Sequence, residues 1–509
     1  MEVELKLLVA AADLDAVRNS SLLRRLQRDP PHTVDNTSIY FDTPALTLHH
    51  HRAGLRLRRS EGGWVQTFKG GGSVVGGLHS RNEFESAVPD QSLDLPALRL
   101  LSGKGNPYYK LLGRRLLREQ LQPIFVTEIR RTIWQLRTDD GARIECVLDL
   151  GSVTAGAQHV PISEIELELK DGPPHALFAL ALALLDEVPL RLGNTSKAAH
   201  GYALLMPDHV AADSAAAKIG MTRTTSVEEA FVMLVQACLT QMQTHEDAVI
   251  ADASGEPLHR MRVALRKLHG VFQLFAHPVT LPETLVEEFA WLAGVLGPAR
   301  DWDVLLHSTL PRMPDAMLNQ IDLLELVCAV SQAAGNVAEL AAAAITSPRY
   351  TRLLLGCQQW LLGAEWRNRA DTNLAALSRP VEQFATEGFS ALTEKLRRRH
   401  KKAAGGDQRL RHRARIAAKN LRYAVEFFSA LYSGKETRQL LKALASFQDE
   451  LGAANDLVVA DRLLQTLALG EAASRDVDYL RGCLAATYQH ETSVRTRGWR
   501  RLAKLDLPR

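Results

Sequence analysis

From Glu2 to about Tyr202 the apolar and polar positions alternate in short runs broken by Gly, Pro, Asn and Asp, the period-two pattern of strands. The pattern predicts strands over 2–9, 37–41, 55–59, 64–69, 81–88, 124–136, 143–150 and 162–169, about eight, enough to close an antiparallel barrel. The apolar run 176–185, the most apolar of the chain, reads as a buried helix and is too short to span a bilayer. An Ala-rich stretch over 207–222 has neither alternation nor a helical stripe and reads as a linker. Beyond it the apolar positions fall at three- and four-residue spacings to the end, which predicts an all-α second part. The expected organisation is therefore multidomain α+β: a barrel domain over 1–205, a linker over 206–221 and a helical domain over 222–509.

The helical part repeats itself. The segment His259-Arg260-Met261-Arg262-Val263-Ala264-Leu265-Arg266-Lys267-Leu268 recurs as His412-Arg413-Ala414-Arg415-Ile416-Ala417-Ala418-Lys419-Asn420-Leu421. In each copy one helix face is basic: His259, Arg262, Arg266 and His269, then His412, Arg415, Lys419 and Arg422. The other face is apolar, Met261, Leu265, Leu268, Phe272 and Phe275 against Ala414, Ala418, Leu421, Val425 and Phe428. A second echo follows each copy, Leu296 to Asp301 and Leu451 to Asp456. Two related half-bundles are expected, their basic faces meeting at a shared groove.

Composition narrows the class. Hydrophobic residues make up 46% and charged residues 23% of 509, as in ordinary globular chains. The formal net charge of +3 excludes a generally polybasic protein, so any anion site must come from local segregation of charge. Five cysteines, dispersed and never in a Cys-x-x-Cys pair, exclude a disulfide framework and a zinc knuckle and fit a reducing cytoplasm. The N-terminus lacks the apolar core of a secretory signal, and no membrane association is expected.

Each predicted strand carries its charges on one face: Glu2, Glu4 and Lys6; Arg56 and Arg58; Arg81, Glu83 and Glu85; Arg143, Glu145 and Asp149; Glu164, Glu166, Glu168 and Lys170. The opposite faces are apolar enough to pack outward under helices, which would turn the charges into the barrel. Desolvated charges of both signs are costly unless they pair or bind a ligand. Clustered carboxylates suit a hard divalent cation, and interleaved Arg and Lys suit phosphate oxygens. Together they describe a polyphosphate held through metal. The glycine-rich piece 70–77 lacks the Lys-Ser/Thr of a phosphate loop and is expected to be a flexible hairpin.

On Glu2-x-Glu4-x-Lys6, Tyr40-Phe41-Asp42-Thr43, Leu55-Arg56-Leu57-Arg58, Thr67-Phe68-Lys69, Arg81-x-Glu83-x-Glu85, Glu145-x-x-x-Asp149, Glu164-Ile165-Glu166-Leu167-Glu168 and Ser196-Lys197, residues 1–202 resemble the CYTH superfamily of triphosphate tunnel metalloenzymes, with His200 where that family usually has Arg. Residues 222–509 look like a CHAD domain, a helical polyphosphate-binding module, and the pairing resembles bacterial inorganic triphosphatases. The resemblance implies an eight-stranded tunnel that hydrolyses inorganic triphosphate with Mg²⁺ or Mn²⁺. It implies Glu2, Glu4, Asp149, Glu166 and Glu168 as metal ligands, and Glu4, Glu85, Glu168 and Lys6 as catalytic. It implies Lys6, Arg56, Arg58, Lys69, Arg81, Arg131 and Lys197 as the phosphate grip, Arg131 being preferred to Arg130 by register. His259, Arg262, Arg266, His412, Arg415, Lys419 and Arg422, joined by the basic run 397–402, are then expected to bind inorganic polyphosphate, in the cytoplasm and at polyphosphate granules. Nucleic acid is the weaker ligand, because aromatic residues are not interleaved with the basic ones. The same lining would serve a thiamine triphosphatase or an adenylate cyclase, and a non-catalytic polyphosphate binder is the reading from another class.

Overall fold

The computed structural model describes residues 2–60, 62–206, 220–369, 373–403, 407–432, 434–467 and 469–494, with Trp499 and Leu502. Most of the expected linker, 207–219, lies outside the described residues. The chain divides into two compact units, 1–215 with 347–363, and 216–346 with 364–509.

Nine strands of the first unit form one sheet: β1 Glu2–Val9, β2 His32–Asp42, β3 Ala53–Ser60, β4 Gly63–Val75, β5 Leu78–Val88, β6 Gln122–Arg137, β7 Arg143–Ala155, β8 Gln158–Asp171 and β9 Leu190–Leu192. Their order is β5-β4-β3-β2-β6-β7-β8-β1-β9, and β5 also pairs with β1. That pairing closes β1 to β8 into an antiparallel barrel and leaves β9 as a short addition to β1. All eight expected strands are present, most of them longer than the alternation suggested. β9 is too short for alternation to register, and three short helices between β5 and β6, Leu95–Ser102, Pro107–Leu112 and Arg115–Gln120, were not anticipated. The glycine-rich piece is a hairpin, but β4 runs through it to Val75, with a bulge between Gly70 and Ser73, and the turn is confined to Gly76 and Gly77.

The apolar strand faces point outward, as the parity required: Leu5, Leu7, Leu55, Leu57, Ile165 and Leu167 are fully buried. The three short helices cover Leu55 and Phe68 through Leu95, Leu98, Leu111 and Leu112. The helix His175–Leu185, apolar on nearly every side, packs on β1 and β8. The inner face is not charged throughout. Phe125 and Ile129 share the parity of Arg131, Val153 that of Asp149 and Ile162 that of Glu164, and these apolar residues receive Tyr202 of the helix Lys197–Leu205. Gly201 of that helix lies so close to Phe125 that a Cβ would fall 2.4 Å from its ring, so only glycine fits. Ser196 caps the helix by accepting from the Ala199 N–H at 3.2 Å. The Tyr202 hydroxyl donates at 2.8 Å to Asp42, whose oxygens also accept the backbone N–H groups of Thr43, Leu48 and His49 at 2.7, 2.8 and 3.0 Å. Asp42 of the Tyr40-to-Thr43 motif is thus an anchor for this plug, while Tyr40 lies opposite Arg56 of the lining.

In the second unit the helices Gly255–Leu274 and Gln408–Phe427 carry the repeated segment. Met261, Leu265, Leu268, Phe275, Ala414, Ala418, Leu421, Val425 and Phe428 are buried, which makes the expected apolar stripe the core. The helix Leu323–Thr346 was not singled out from the sequence. Its residues Leu324–Thr346 are long and apolar enough to cross a membrane by length and composition, with a mean hydropathy of 1.3. Leu326 and Val330 of this helix pack into the core around Trp302, Leu305 and Leu480.

The helix Pro348–Gly363 belongs to the first unit, although the sequence placed it inside a continuous helical domain. Its buried residues lie against the helix His175–Leu185, a surface that strand alternation cannot reveal.

Tyr202→Phe should lower stability by about 1.5–3 kcal/mol, the worth of a hydrogen bond to a charged group, read as a shift in the denaturant midpoint of the first unit.

Candidate functional site

The closed register brings the inward charges of seven strands together. Lys6 is opposite Glu166 and Arg131 opposite Asp149. Lys6, 1% exposed, donates to Glu164 Oε1 and Glu166 Oε1 at 2.7 Å each. Arg131 donates to both oxygens of Asp149, at 2.8 and 2.6 Å, and to Glu166 Oε2 at 2.9 Å. Lys197, the first residue of the plug helix, reaches Asp149 at 2.6 Å, Glu166 at 2.9 Å and also Glu164. Three cations and three carboxylates therefore form one balanced cluster, with ligand oxygens of Asp149, Glu164 and Glu166 within 4.8 Å of one another.

Mutual attraction outweighs burial here. Burial pushes Lys6 and Lys197 toward the neutral form, yet the carboxylates around them hold both above the ordinary lysine value, Lys197 well above it. Burial favours the protonated form of Glu166, but Lys197, Lys6 and Arg131 hold it well below the ordinary carboxylate range. Glu4 differs. Burial first, then repulsion from Glu166, raises its pKa to about 7, and among the described residues no cation lies within ion-pair distance of it.

The remaining lining surrounds this cluster. Lys69 binds Glu2 at 2.7 Å and Glu83 at 3.3 Å, Arg58 binds Glu85 at 3.1 Å, and Thr67 donates to Glu85 at 2.8 Å. Arg81 is opposite Glu2 in the β1–β5 pairing. Glu168 is taken up by Lys170 at 2.7 Å. The Nε–H groups of Arg56 and Arg58 are buried without an acceptor. Arg131 faces inward, whereas Arg130 lies outside with Asp35, so the register separates the two. Of the expected metal ligands, Asp149 and Glu166 are held by cations of the cluster, and Glu2 and Glu168 by lysines.

Three inward residues were given no role from the sequence, although Glu83 and Glu164 were placed on its charged strand faces and His79 was not named. Glu164, 1% exposed, joins Lys6 to Lys197 and lies on the same parity run as Glu166. Glu83 bridges Lys69 and Arg56, the latter at 3.8 Å. His79 lies opposite Glu4, its Nε2–H donating to the Gly193 carbonyl at 3.1 Å, and burial with the nearby Lys6 ammonium depresses its pKa to about 4. Parity two residues before Arg81 would have found it.

In the second unit the two basic faces do meet. A cavity of about 570 Å³ is lined by Arg262, Asp301, Arg411, His412, Arg415 and Arg462, among others. Burial, with Arg266 and Arg300 adding repulsion against the pull of Asp301, brings Arg262 down to about 10. Burial, followed by Arg415 and Arg266, brings Lys419 down to about 7. Arg266 and Arg415 also have buried Nε–H groups without acceptors. Arg422 turns away, to Glu426 at 2.8 Å and Gln448 at 3.2 Å, and the pKa of His259 is lowered by burial and then by Arg300 and Arg266. In the basic run 397–402, Arg399 donates to the Arg413 carbonyl at 3.0 Å.

Comparison with known proteins places both units. Residues 1–202 match the CYTH domain and residues 233–465 the CHAD domain. An inorganic triphosphatase of Haemophilus influenzae is 36% identical over 165 residues, 32% of this chain and 44% of that protein, so the chain spans less than half of that relative's length. The crystal structure of the CHAD domain from the plant Ricinus communis aligns with a TM-score of 0.53 and 38% identity, covering 58% of this chain and 97% of that one. The barrel with its charged lining and the repeat bundle with its paired basic helices are therefore a CYTH domain and a CHAD domain, and the chain belongs to both families.

Proposed function

We propose that the chain is a divalent-metal-dependent inorganic triphosphatase, converting tripolyphosphate to diphosphate and phosphate inside the barrel, and that its CHAD domain binds inorganic polyphosphate in the same cytoplasmic compartment. The observation that carries the reading is the presence, on one inner face, of acceptor-free Nε–H groups on Arg56 and Arg58 together with Glu4, a carboxyl that has no cation within ion-pair distance among the described residues. A triphosphate would accept from the arginines, and a divalent ion would relieve Glu4. The relative in Haemophilus influenzae bears the name of this activity.

The donor set fits a hard cation. Glu2, Glu4, Asp149, Glu166 and Glu168 would hold it, and when bound it would supply charge neutralisation to the phosphoryl oxygens. The chain's own residues do the rest. Arg56 and Arg58 donate to anhydride oxygens along β3, and Lys69 and Arg81 extend that grip. Lys6, Arg131 and Lys197 exchange carboxylate partners for the terminal phosphoryl group, so the cluster offers preorganised positive charge without further desolvation. Glu4, with Glu168 opposite it and with Glu85, orients the attacking water. In the CHAD groove, Arg262, Arg266, Arg415 and Lys419 repel one another, and a linear polyanion removes that repulsion.

Tripolyphosphate, thiamine triphosphate and ATP assayed side by side with Mg²⁺, and again after chelation, test the assignment. Metal-dependent turnover should be largest on tripolyphosphate, and preference for either organic triphosphate would reject the substrate while keeping the tunnel chemistry. Because burial and Glu166 hold the metal-free Glu4 carboxyl up near 7 and a cation would bind its ionised form, metal affinity should rise with pH through about 7. Glu4→Gln should abolish that rise and lower turnover by about 10²-fold or more with an unchanged melting curve; a merely binding tunnel would retain its affinity and show no such loss. Lys419 is cationic below its folded-state value of about 7, so polyphosphate affinity should be greater at pH 6 than at pH 8 and should fall steeply with salt. Lys419→Met should flatten the pH dependence in a titration with polyphosphate.

A further inference from the structure

The helix Pro348–Gly363 lies within the stretch that matches CHAD yet packs in the tunnel unit. It buries Leu353, Leu354, Cys357, Gln358 and Leu361, lies on the helix His175–Leu185 and on β9, and pairs Arg352 with Asp186 at 2.7 Å. Gln358, 1% exposed, is seated on the turn between β4 and β5: a Cβ on Gly76 would fall 2.4 Å from its Nε2 and 2.7 Å from its Cδ. Gly76 and Gly77 have φ of 59° and 77°, a conformation that costs glycine nothing.

This turn holds the main chain of Lys6. The Lys6 N–H donates to the Gly77 carbonyl at 3.0 Å, and the Gly77 N–H donates to Asn194 Oδ1 at 2.9 Å. The Lys6 carbonyl accepts from the Gly193 N–H at 2.9 Å, and Gly193 presses so closely on the lysine stem that a Cβ there would lie 2.8 Å from Lys6 Cγ. His79 holds the Gly193 carbonyl from the other side. Lys6 is therefore fixed at both backbone groups, by the Gly76–Gly77 turn and by the segment that follows β9. Gln358 backs the first directly, and β9, which leads into the second, packs on the same helix.

We propose that the helix Pro348–Gly363 is a positioning element of the tunnel: through Gln358 on the Gly76–Gly77 turn it sets the backbone of Lys6, and with it the ammonium group between Glu164 and Glu166. Its catalytic consequence rests on the triphosphatase reading, whereas its structural part does not. Plain core packing would give the helix stability without linking Gln358 to Lys6, and a double-mutant cycle in the full chain separates the two. Gly76→Ala introduces both a left-handed backbone penalty and a collision with Gln358, and Gln358→Ala in the same chain removes only the collision. The Lys6 amide is followed by hydrogen exchange, and kcat and KM are measured on tripolyphosphate.

The expected result is that Gly76→Ala speeds Lys6 exchange and lowers kcat/KM by about tenfold each, and that adding Gln358→Ala recovers about threefold or more of both, the size of coupling seen between contacting residues. Independent effects on exchange would overturn the seat of Gln358. Recovered exchange with unrecovered kcat/KM would overturn the positioning of Lys6 for chemistry. If Gly76→Ala prevents folding, restoration of the folded state by Gln358→Ala supports the proposal and failure to restore it refutes it. A wild-type chain inactive on all triphosphates would refute the triphosphatase reading, and the exchange cycle would still decide the seat.

Discussion

The structure depends on one electrostatic balance: Lys6, Arg131 and Lys197 against Asp149, Glu164 and Glu166 inside a closed barrel. Removing one member of such a group leaves an uncompensated buried charge, at about 3–5 kcal/mol. The members come from β1, β6, β7, β8 and the helix Lys197–Leu205, so the cluster exists only when the ring is closed and the plug is seated. The two conditions have different supports. Ring closure rests on pairing between β1 and β5, while the plug rests on Tyr202, Asp42 and the close approach of Gly201 to Phe125.

Register ties the balance to the fold. A slip of one residue in any strand would turn its charged side chains into the apolar shell and its leucines into the tunnel, a double penalty. The contrast between Arg130 and Arg131 shows this within a single strand. Arg131 completes the cluster, and Arg130, one position earlier, meets Asp35 at the surface, where an ion pair contributes little. The apolar outer face under the helix His175–Leu185 and the charged inner face thus enforce the same alignment.

Strand parity made much of this legible in the sequence. Each charged face could be read from Glu2, Glu4 and Lys6 or from Glu164, Glu166 and Glu168, because alternation is a local property of a strand. Partner choice is not local. Nothing in spacing shows that Glu168 turns to Lys170 while Glu4 has no cation within ion-pair distance among the described residues, since that depends on which strands become neighbours and how deep each residue lies. The helix Pro348–Gly363 was opaque for a related reason. Its apolar stripe is that of any bundle helix, and only the three-dimensional fold shows that the stripe faces His175–Leu185 in the tunnel unit, to which both helices belong. The repeat announced the CHAD groove better, because two copies of the same basic face constrain each other. It still could not show that Arg422 spends its guanidinium on Glu426 and Gln448.

On the proposed function, the two units would hold a polyanion in opposite ways. In the tunnel Lys6, Arg131 and Lys197 each have a carboxylate at hydrogen-bond distance, and they grip their protons more tightly than they would in water. In the CHAD groove cations outnumber Asp301 and Asp456, and Arg262, Arg415 and Lys419 grip theirs less tightly. A balanced cluster gains from an anion only if the anion matches its geometry, because each phosphate contact displaces an existing carboxylate contact. An unbalanced groove gains from almost any dense anionic chain, because charge alone relieves the repulsion. Selection by shape therefore belongs to the barrel and capture by charge density to the bundle, a division that follows from the counts of carboxylates around the cations and needs no difference in the cations themselves.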